Sequence, residues 1–299
     1  MKIAHIINPV KVAKNNELAL VQPITFKSIQ QAKVNFKKGE ITIFTTQYPE
    51  DHEIIPNDFV KLPDLERSIQ DIHPELGNRK LPLIGDIIDK LKENETADYF
   101  IYTNIDIALM PFFYDYVVSY LQKGHDALII NRRRISKKHF NSNDLTLMYA
   151  DIGKSHPGFD CFVFHKDILP LLRFDEICVG IPFIETSFIH NLVAHAKKPC
   201  FITKEHLTFH IGLDVLNFKS NKLYQHNKSI FFKKIQPKLK SRYTLKQFPY
   251  SELSFPKKSL KWILNPSLFT KNLIELESKS VAHKLKVIID ELRWRILEK

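Results

Sequence analysis

Glycine is scarce in this chain, with 8 in 299 residues. No Gly-x-Gly-x-x-Gly and no Gly-Lys-Ser/Thr loop occurs. The backbone turns that cradle phosphate in dinucleotide-binding and P-loop proteins are therefore missing. A nucleotide bound here would need a metal or basic side chains to neutralise its phosphates. Cysteine is as sparse: Cys161, Cys178 and Cys200 stand apart, with no Cys-x-x-Cys pair. That argues against a disulfide framework or a zinc knuckle and for a reducing compartment. No window reaches the roughly 18 consecutive apolar residues of a membrane-spanning helix. The opening MKIAHIINPV stops at Asn8-Pro9, too short for a signal-peptide core, and reads as a first strand.

Negative charge is short at one end only. From Lys219 to Lys299 there are 19 Lys and Arg against 6 Asp and Glu, while residues 1–218 hold 25 against 27. The net charge of +11 therefore belongs to the last 81 residues. The expected division is a folded domain over 1–218 and a basic, amphipathic helical extension over 219–299. In the extension Val281, Leu285, Ile288, Ile289, Leu292 and Ile296 form a helical stripe. That stripe can pack on the main domain. Alternatively, the lysines with Trp262 and Trp294 can meet an anionic membrane surface. Nucleic acid is the least supported partner, since no recognised nucleic-acid motif accompanies the charge.

Strand-like and helix-like stretches alternate along the first 218 residues. KIAHIINPV, EITIFTTQYP, DYFIYTNIDI and HDALIINRR read as strands, and CFVF as a short one. Helices are expected from Ile24 to Phe36, over LPLIGDIIDKLKENE, from Pro111 to Gly124 and after Glu185. This order predicts an α/β fold, a mainly parallel sheet flanked by helices on both faces. In such sheets ligands bind beyond the carboxyl ends of the strands. Polar residues collect there: His5 and Asn8, then Thr45, Thr46 and Gln47, then Thr103, Asn104 and Asp106, then Asn131 with Arg132, Arg133 and Arg134.

A metal that carries a nucleotide diphosphate takes hard oxygen ligands and keeps open positions for phosphate and water. Asp106 suits that task. In extended chain, residues two apart face the same way, so Asn104 and Asp106 can reach one ligand together. A second metal ligand can come from a distant strand, and His210 in LTFHIG has that form.

Strand order, the basic pair before a helix, Asn-x-Asp at a strand end, Gly180-x-x-x-x-Glu185 at a helix start and the late strand with His210 together resemble GT-A-fold, family 2-like glycosyltransferases over roughly residues 1–215. The departure is Asn104, which makes Asn-x-Asp of the family's Asp-x-Asp. The resemblance implies a GT-A-like catalytic domain and a nucleotide-sugar donor. It also implies a divalent metal, Mn²⁺ or Mg²⁺, on Asp106 and His210, with Asn104 and Asn8 beside the nucleotide. Glu185 corresponds to the base that deprotonates an acceptor hydroxyl. Asp160, in SHPGFDCFVF, corresponds to a residue of the sugar or acceptor pocket, and Arg79 and Lys80 to basic contacts of the nucleotide. The expected acceptor is a glycan or lipid-linked hydroxyl, and the expected place is the cytoplasm, peripheral at the inner membrane face.

Two rivals stay open. A nucleotidyltransferase would normally carry a glycine-rich loop after its first strand, and NPVKVAKNNE has no glycine. A non-catalytic binding protein on the same scaffold would treat Asn104 as the mark of a decayed site. His190 and His195 read as structural, while His165, His206 and His226 have no partner by spacing.

Overall fold

The structure is a computed structural model that describes residues 1–93, 96–136, 138, 141–211 and 222–263. Its strands are β1 (Lys2–Ile7), β2 (Glu40–Thr45), β3 (Val60–Lys61), β4 (Tyr99–Thr103), β5 (Ala108–Leu109), β6 (Ala127–Ile135), β7 (Lys154–His165), β8 (Pro199–Ile202) and β9 (Thr208–Ile211). The helices are α1 (Glu17–Asn35), α2 (Ile69–Ile72), α3 (Ile84–Asp89), α4 (Phe113–Gln122), α5 (Leu145–Ala150), α6 (Ile184–His195), α7 (Lys222–Ile230), α8 (Gln236–Leu239) and α9 (Phe255–Ile263).

The strands form one sheet in the order β3-β2-β1-β4-β7-β6-β9-β5. β8 lies along the first half of β6 and β9 along its second half. Five of these pairings are parallel and three antiparallel, so the expected mainly parallel sheet is present. Side chains alternate across the pleat and feed two cores. Ala4, Ile6, Phe100, Tyr102, Phe162 and Phe164 face the layer of α3, α6 and α7. Ile3, Ile7, Ile101, Leu128 and Val163 face α1 and α4. Strands buried on both faces need near-continuous apolar sequence, and these have it.

Several elements differ from the sequence reading. Helix α1 starts at Glu17, capped by the Asn16 side chain on the Leu18 N–H, and runs through Pro23. The expected short strand at Cys161 is the end of the twelve-residue β7. β6 continues to Ile135, so the three arginines lie within the strand rather than closing it. CFITKEHLTFHIG is two strands, β8 and β9. His5 sits inside β1 rather than at its end. It is fully buried and shares hydrogen bonds with the Tyr114 hydroxyl at 2.7 Å and the Thr103 hydroxyl at 2.9 Å.

The expected boundary at 218/219 falls in residues 212–221, outside the described residues. Leu223, Tyr224, Ile230, Phe231, Ile235, Leu239 and Phe248 are buried in the same core as β4 and α6. Helix α7 passes through a π-helical stretch, Phe231–Ile235, into α8. Pro237 offers no N–H, which explains why the helical ladder widens just ahead of it. The stripe from Val281 to Ile296 and Trp294 lie outside the described residues. Among the described residues no helix is long and apolar enough to cross a membrane.

Burial pushes His5 and His190 down from 6.5 to about 3, so both imidazoles are neutral in the fold. The unfolded chain binds these protons near pH 6.5 and the folded chain does not. Their contribution to stability is therefore complete above pH 6.5 and is lost as pH falls toward 3. Each uncompensated proton contributes a slope of about 1.4 kcal/mol per pH unit. Denaturant unfolding followed from pH 7 to pH 4 should show this decline, and His190→Phe should make it shallower by one proton.

Candidate active site

The polar residues after β4 owe their neighbours to strand register. β5 begins two residues beyond Asp106 and pairs antiparallel with β9, Ala108 opposite Phe209 and Leu109 opposite Thr208. Continuing that register sets Ile107 against His210. Asp106 Oδ2 then lies 3.2 Å from His210 Nε2. The imidazole is nearly covered and the carboxylate is 32% exposed, so the pair opens to solvent on the Asp106 side.

Asn104 is held from two sides. Its Oδ1 accepts from the Tyr102 hydroxyl at 3.1 Å, and its Nδ2 donates to Asp160 Oδ1 at 3.2 Å. Burial, with Asp106 and Asp160 nearby, raises the Tyr102 phenol, which stays protonated and donates. Asp160 reaches Asn104 through an irregularity of the sheet. β4 pairs Thr103 with Cys161, while β6 pairs Ile130 with Cys161 and then Asn131 with Phe159. Asp160 is the extra residue of that bulge. A second irregularity separates Asn131 from Arg133, and Arg132 occupies it. Bulges turn a strand locally and re-aim its side chains. Here they point Arg132 at Asp160, whose Oδ2 accepts a charged hydrogen bond from Arg132 Nη1. Both side chains are buried. Asp160, expected to touch a sugar hydroxyl, has each oxygen accepting from a protein group.

Glu185 stands in the first turn of α6, where the helix dipole favours a carboxylate. Phe183, which precedes the helix, has φ of +88°, a left-handed conformation that is rare for a bulky residue. It is held there by aromatic packing against Tyr224, Phe231 and Phe232. Gly158 of β7 lies beside Glu185. A Cβ there would come 2.9 Å from the His156 ring and 4.0 Å from Glu185 Oε1. The Gly158 N–H donates to His156 Nδ1 at 2.9 Å.

The remaining candidates lie on the β1–β2 side. Register Ile6↔Tyr102 makes β1 and β4 neighbours, so Asn8 and Asn104 leave adjacent strand ends, about 5 Å apart in such sheets. Asn8 donates to the Thr46 carbonyl at 2.6 Å and ties the ends of β1 and β2 together. Lys80 pairs with Glu50 and lies 4.0 Å from the Tyr48 ring centre. Arg79 is exposed. The arginine run, expected to close its strand, is instead largely covered: Arg132 and Arg134 are buried, and Arg133 donates to the carbonyls of Ile152 and Gly153.

The donor set can be tested against a divalent ion. Two adjacent ligands on an octahedral ion with bonds near 2.1 Å lie about 3 Å apart. The Asp106–His210 separation of 3.2 Å meets that spacing, and the exposed side of Asp106 leaves room for phosphate oxygen or water. The pair fits a divalent metal, with one carboxylate supplying the negative charge that the Asp-x-Asp pattern supplies with two.

Of the candidates named from the sequence, Asp106 and His210 lie 3.2 Å apart, while Asn104 bonds Tyr102 and Asp160. Sequence reasoning did not single out Tyr102 or the Arg132–Asp160 pair. The signal available for the pair was a charged residue close to the apolar run of each strand, Ala127–Ile130 in β6 and Cys161–Phe164 in β7.

No protein family and no curated protein matches the chain by sequence. Among solved structures, residues 1–349 of S. aureus TarS, in complex with UDP-GlcNAc, match over 92% of this chain and 84% of that one. That match has 10% identity and a TM-score of 0.44. Glucosyl-3-phosphoglycerate synthase from Mycobacterium tuberculosis, in complex with Mg²⁺ and UDP, matches over 76% of this chain and 78% of that one. Its identity is 12% and its TM-score 0.42. The chain is similar to both in fold.

Removing one partner of a buried ion pair leaves an uncompensated charge, which typically costs about 3–5 kcal/mol. Arg132→Met should lose that much stability in denaturant unfolding. Arg132→Met with Asp160→Asn should recover most of it, a non-additivity that two independent surface residues would not show.

Proposed function

We propose that this chain is a glycosyltransferase that moves a sugar, a hexose in the simplest case, from a nucleotide-sugar donor to a hydroxyl of a glycan or lipid-linked acceptor. The observation that carries the reading is the Asp106–His210 pair at 3.2 Å, with Asp106 partly exposed and Asn104 two residues before it at the end of β4.

In this reading Asp106 and His210 hold a divalent ion that neutralises the donor diphosphate. Asn104 keeps one N–H and one lone pair beyond its bonds to Asp160 and Tyr102, which suits a ribose hydroxyl. Tyr102 and Asp160 fix its orientation, and Arg132 pairs with Asp160 behind it. Asn8, Lys80 and Arg79 attend the nucleotide from the β1–β2 side. Glu185 Oε takes the proton of the acceptor hydroxyl. The acceptor oxygen bonds to the anomeric carbon, and the diphosphate leaves with the electrons of the old bond.

A lipid-linked acceptor draws support from α9. There Phe255 and Leu260 are 78% and 54% exposed beside Lys257, Lys258 and Lys261. An apolar face with adjacent lysines suits the surface of an anionic membrane, and it keeps the peripheral, cytoplasmic placement as a reading.

Calorimetric titration of nucleoside diphosphates and nucleotide sugars, with and without Mn²⁺, tests the proposal. One donor should bind with metal, and Asp106→Ala should remove the metal-dependent part. Glu185→Gln should leave donor binding unchanged and lower turnover by about 10²–10⁴-fold. Failure of every donor to bind would refute the transferase reading.

A further inference from the structure

Away from the Asp106 pair, three side chains from distant parts of the chain converge. His73 ends α2, Glu176 lies in the turn ahead of Cys178, and His226 is in the middle of α7. Each offers a ligand atom, and the three atoms lie within 4.8 Å of one another. The two imidazole centres are 4.9 Å apart, and all three residues are half-buried.

Both rings are oriented by their other nitrogen. His226 Nε2 lies 2.9 Å from the Glu176 carbonyl. A carbonyl can only accept, so Nε2 carries the proton and Nδ1 holds the lone pair. His73 Nδ1 lies 3.1 Å from Glu75 Oε1, and its Nε2 faces Glu176 Oε2 at 3.5 Å. A carbonyl behind one ring and a carboxylate behind the other are the supports that metal-binding histidines commonly have.

We propose that His73, Glu176 and His226 form a second metal site, selective for a borderline divalent cation of the zinc class. Two imidazoles and one carboxylate suit Zn²⁺ or Co²⁺ and do not suit Mg²⁺, which prefers oxygen. Tetrahedral zinc with bonds of about 2.0–2.1 Å sets its ligands about 3.4 Å apart, so the three groups close by roughly an ångström on binding. Lys234 lies 3.1 Å from Glu176 Oε2 and opposes the cation. Its side chain is 48% exposed, and an exposed pair of this kind is weak, so the ammonium can swing into water.

The site joins α7 to the body of the protein. α7 leads directly into Phe231, which packs on Phe183 at the start of the Glu185 helix. A bound cation would thus hold in place the segment against which the candidate base is set. The inference shares no residue with the Asp106 site.

The test is Co²⁺ titration of the untagged full chain, followed by its visible d–d absorption, with Zn²⁺ competition and thermal unfolding alongside. One equivalent of Co²⁺ should give the intense spectrum of tetrahedral coordination, displaced by Zn²⁺ and not by Mg²⁺. Affinity should fall at least about tenfold in His73→Gln, His226→Gln and Glu176→Gln, each checked for native circular dichroism. Asp106→Asn should keep it. Zn²⁺ should raise the melting temperature of the wild type and not of His226→Gln. Absence of a tetrahedral spectrum, its persistence in all three variants, or its loss in Asp106→Asn would overturn the proposal.

Discussion

The ion pair between Arg132 and Asp160 is the interaction on which the candidate site rests. Both side chains are buried, and burying either charge alone would be prohibitive. Each occupies an irregular position of the β6–β7 pairing, so the sheet gives up ladder regularity where it brings the two charges together. The consequence runs outward to Asn104, which stands two residues before Asp106 and whose amide is anchored by Asp160. A site exposed at a strand end has few neighbours to hold it, and a buried charged pair beside it supplies a rigid one.

The C-terminal segment is a second support. Residues 222–248 carry much of the positive charge, yet Tyr224, Phe231, Ile235 and Phe248 are core residues of the main body. The left-handed Phe183 is packed between this segment and α6, with Glu185 two residues on. A strained backbone persists only where surrounding packing enforces it. Here the enforcing aromatic rings come from the part of the chain that its charge had marked as an appendage.

The alternation of strands and helices, the mainly parallel sheet and the cluster of polar strand ends were all legible in the sequence. They depend on local periodicity, which the spacing of apolar residues records. β4 with its Asn104 and Asp106, and Glu185 at the head of a helix, are of this kind. His5, Arg132 and Arg134 were misread because polar residues inside a strand look like its end when only neighbours along the chain are considered. His226 appeared solitary for a similar reason, since His73 and Glu176 meet it only through the fold.

The sequence by itself determined which segments become strands and helices and which ends of them are polar, because burial on one or both faces imposes a repeat of 2 or 3.6 residues. Only the tertiary structure decided that His210 meets Asp106, that Asp160 meets Arg132 and Asn104, and that residues 222–248 complete the core. Those outcomes follow from strand order, register and two bulges. Each is settled by competition among partners far apart in the chain, and no local repeat encodes that competition.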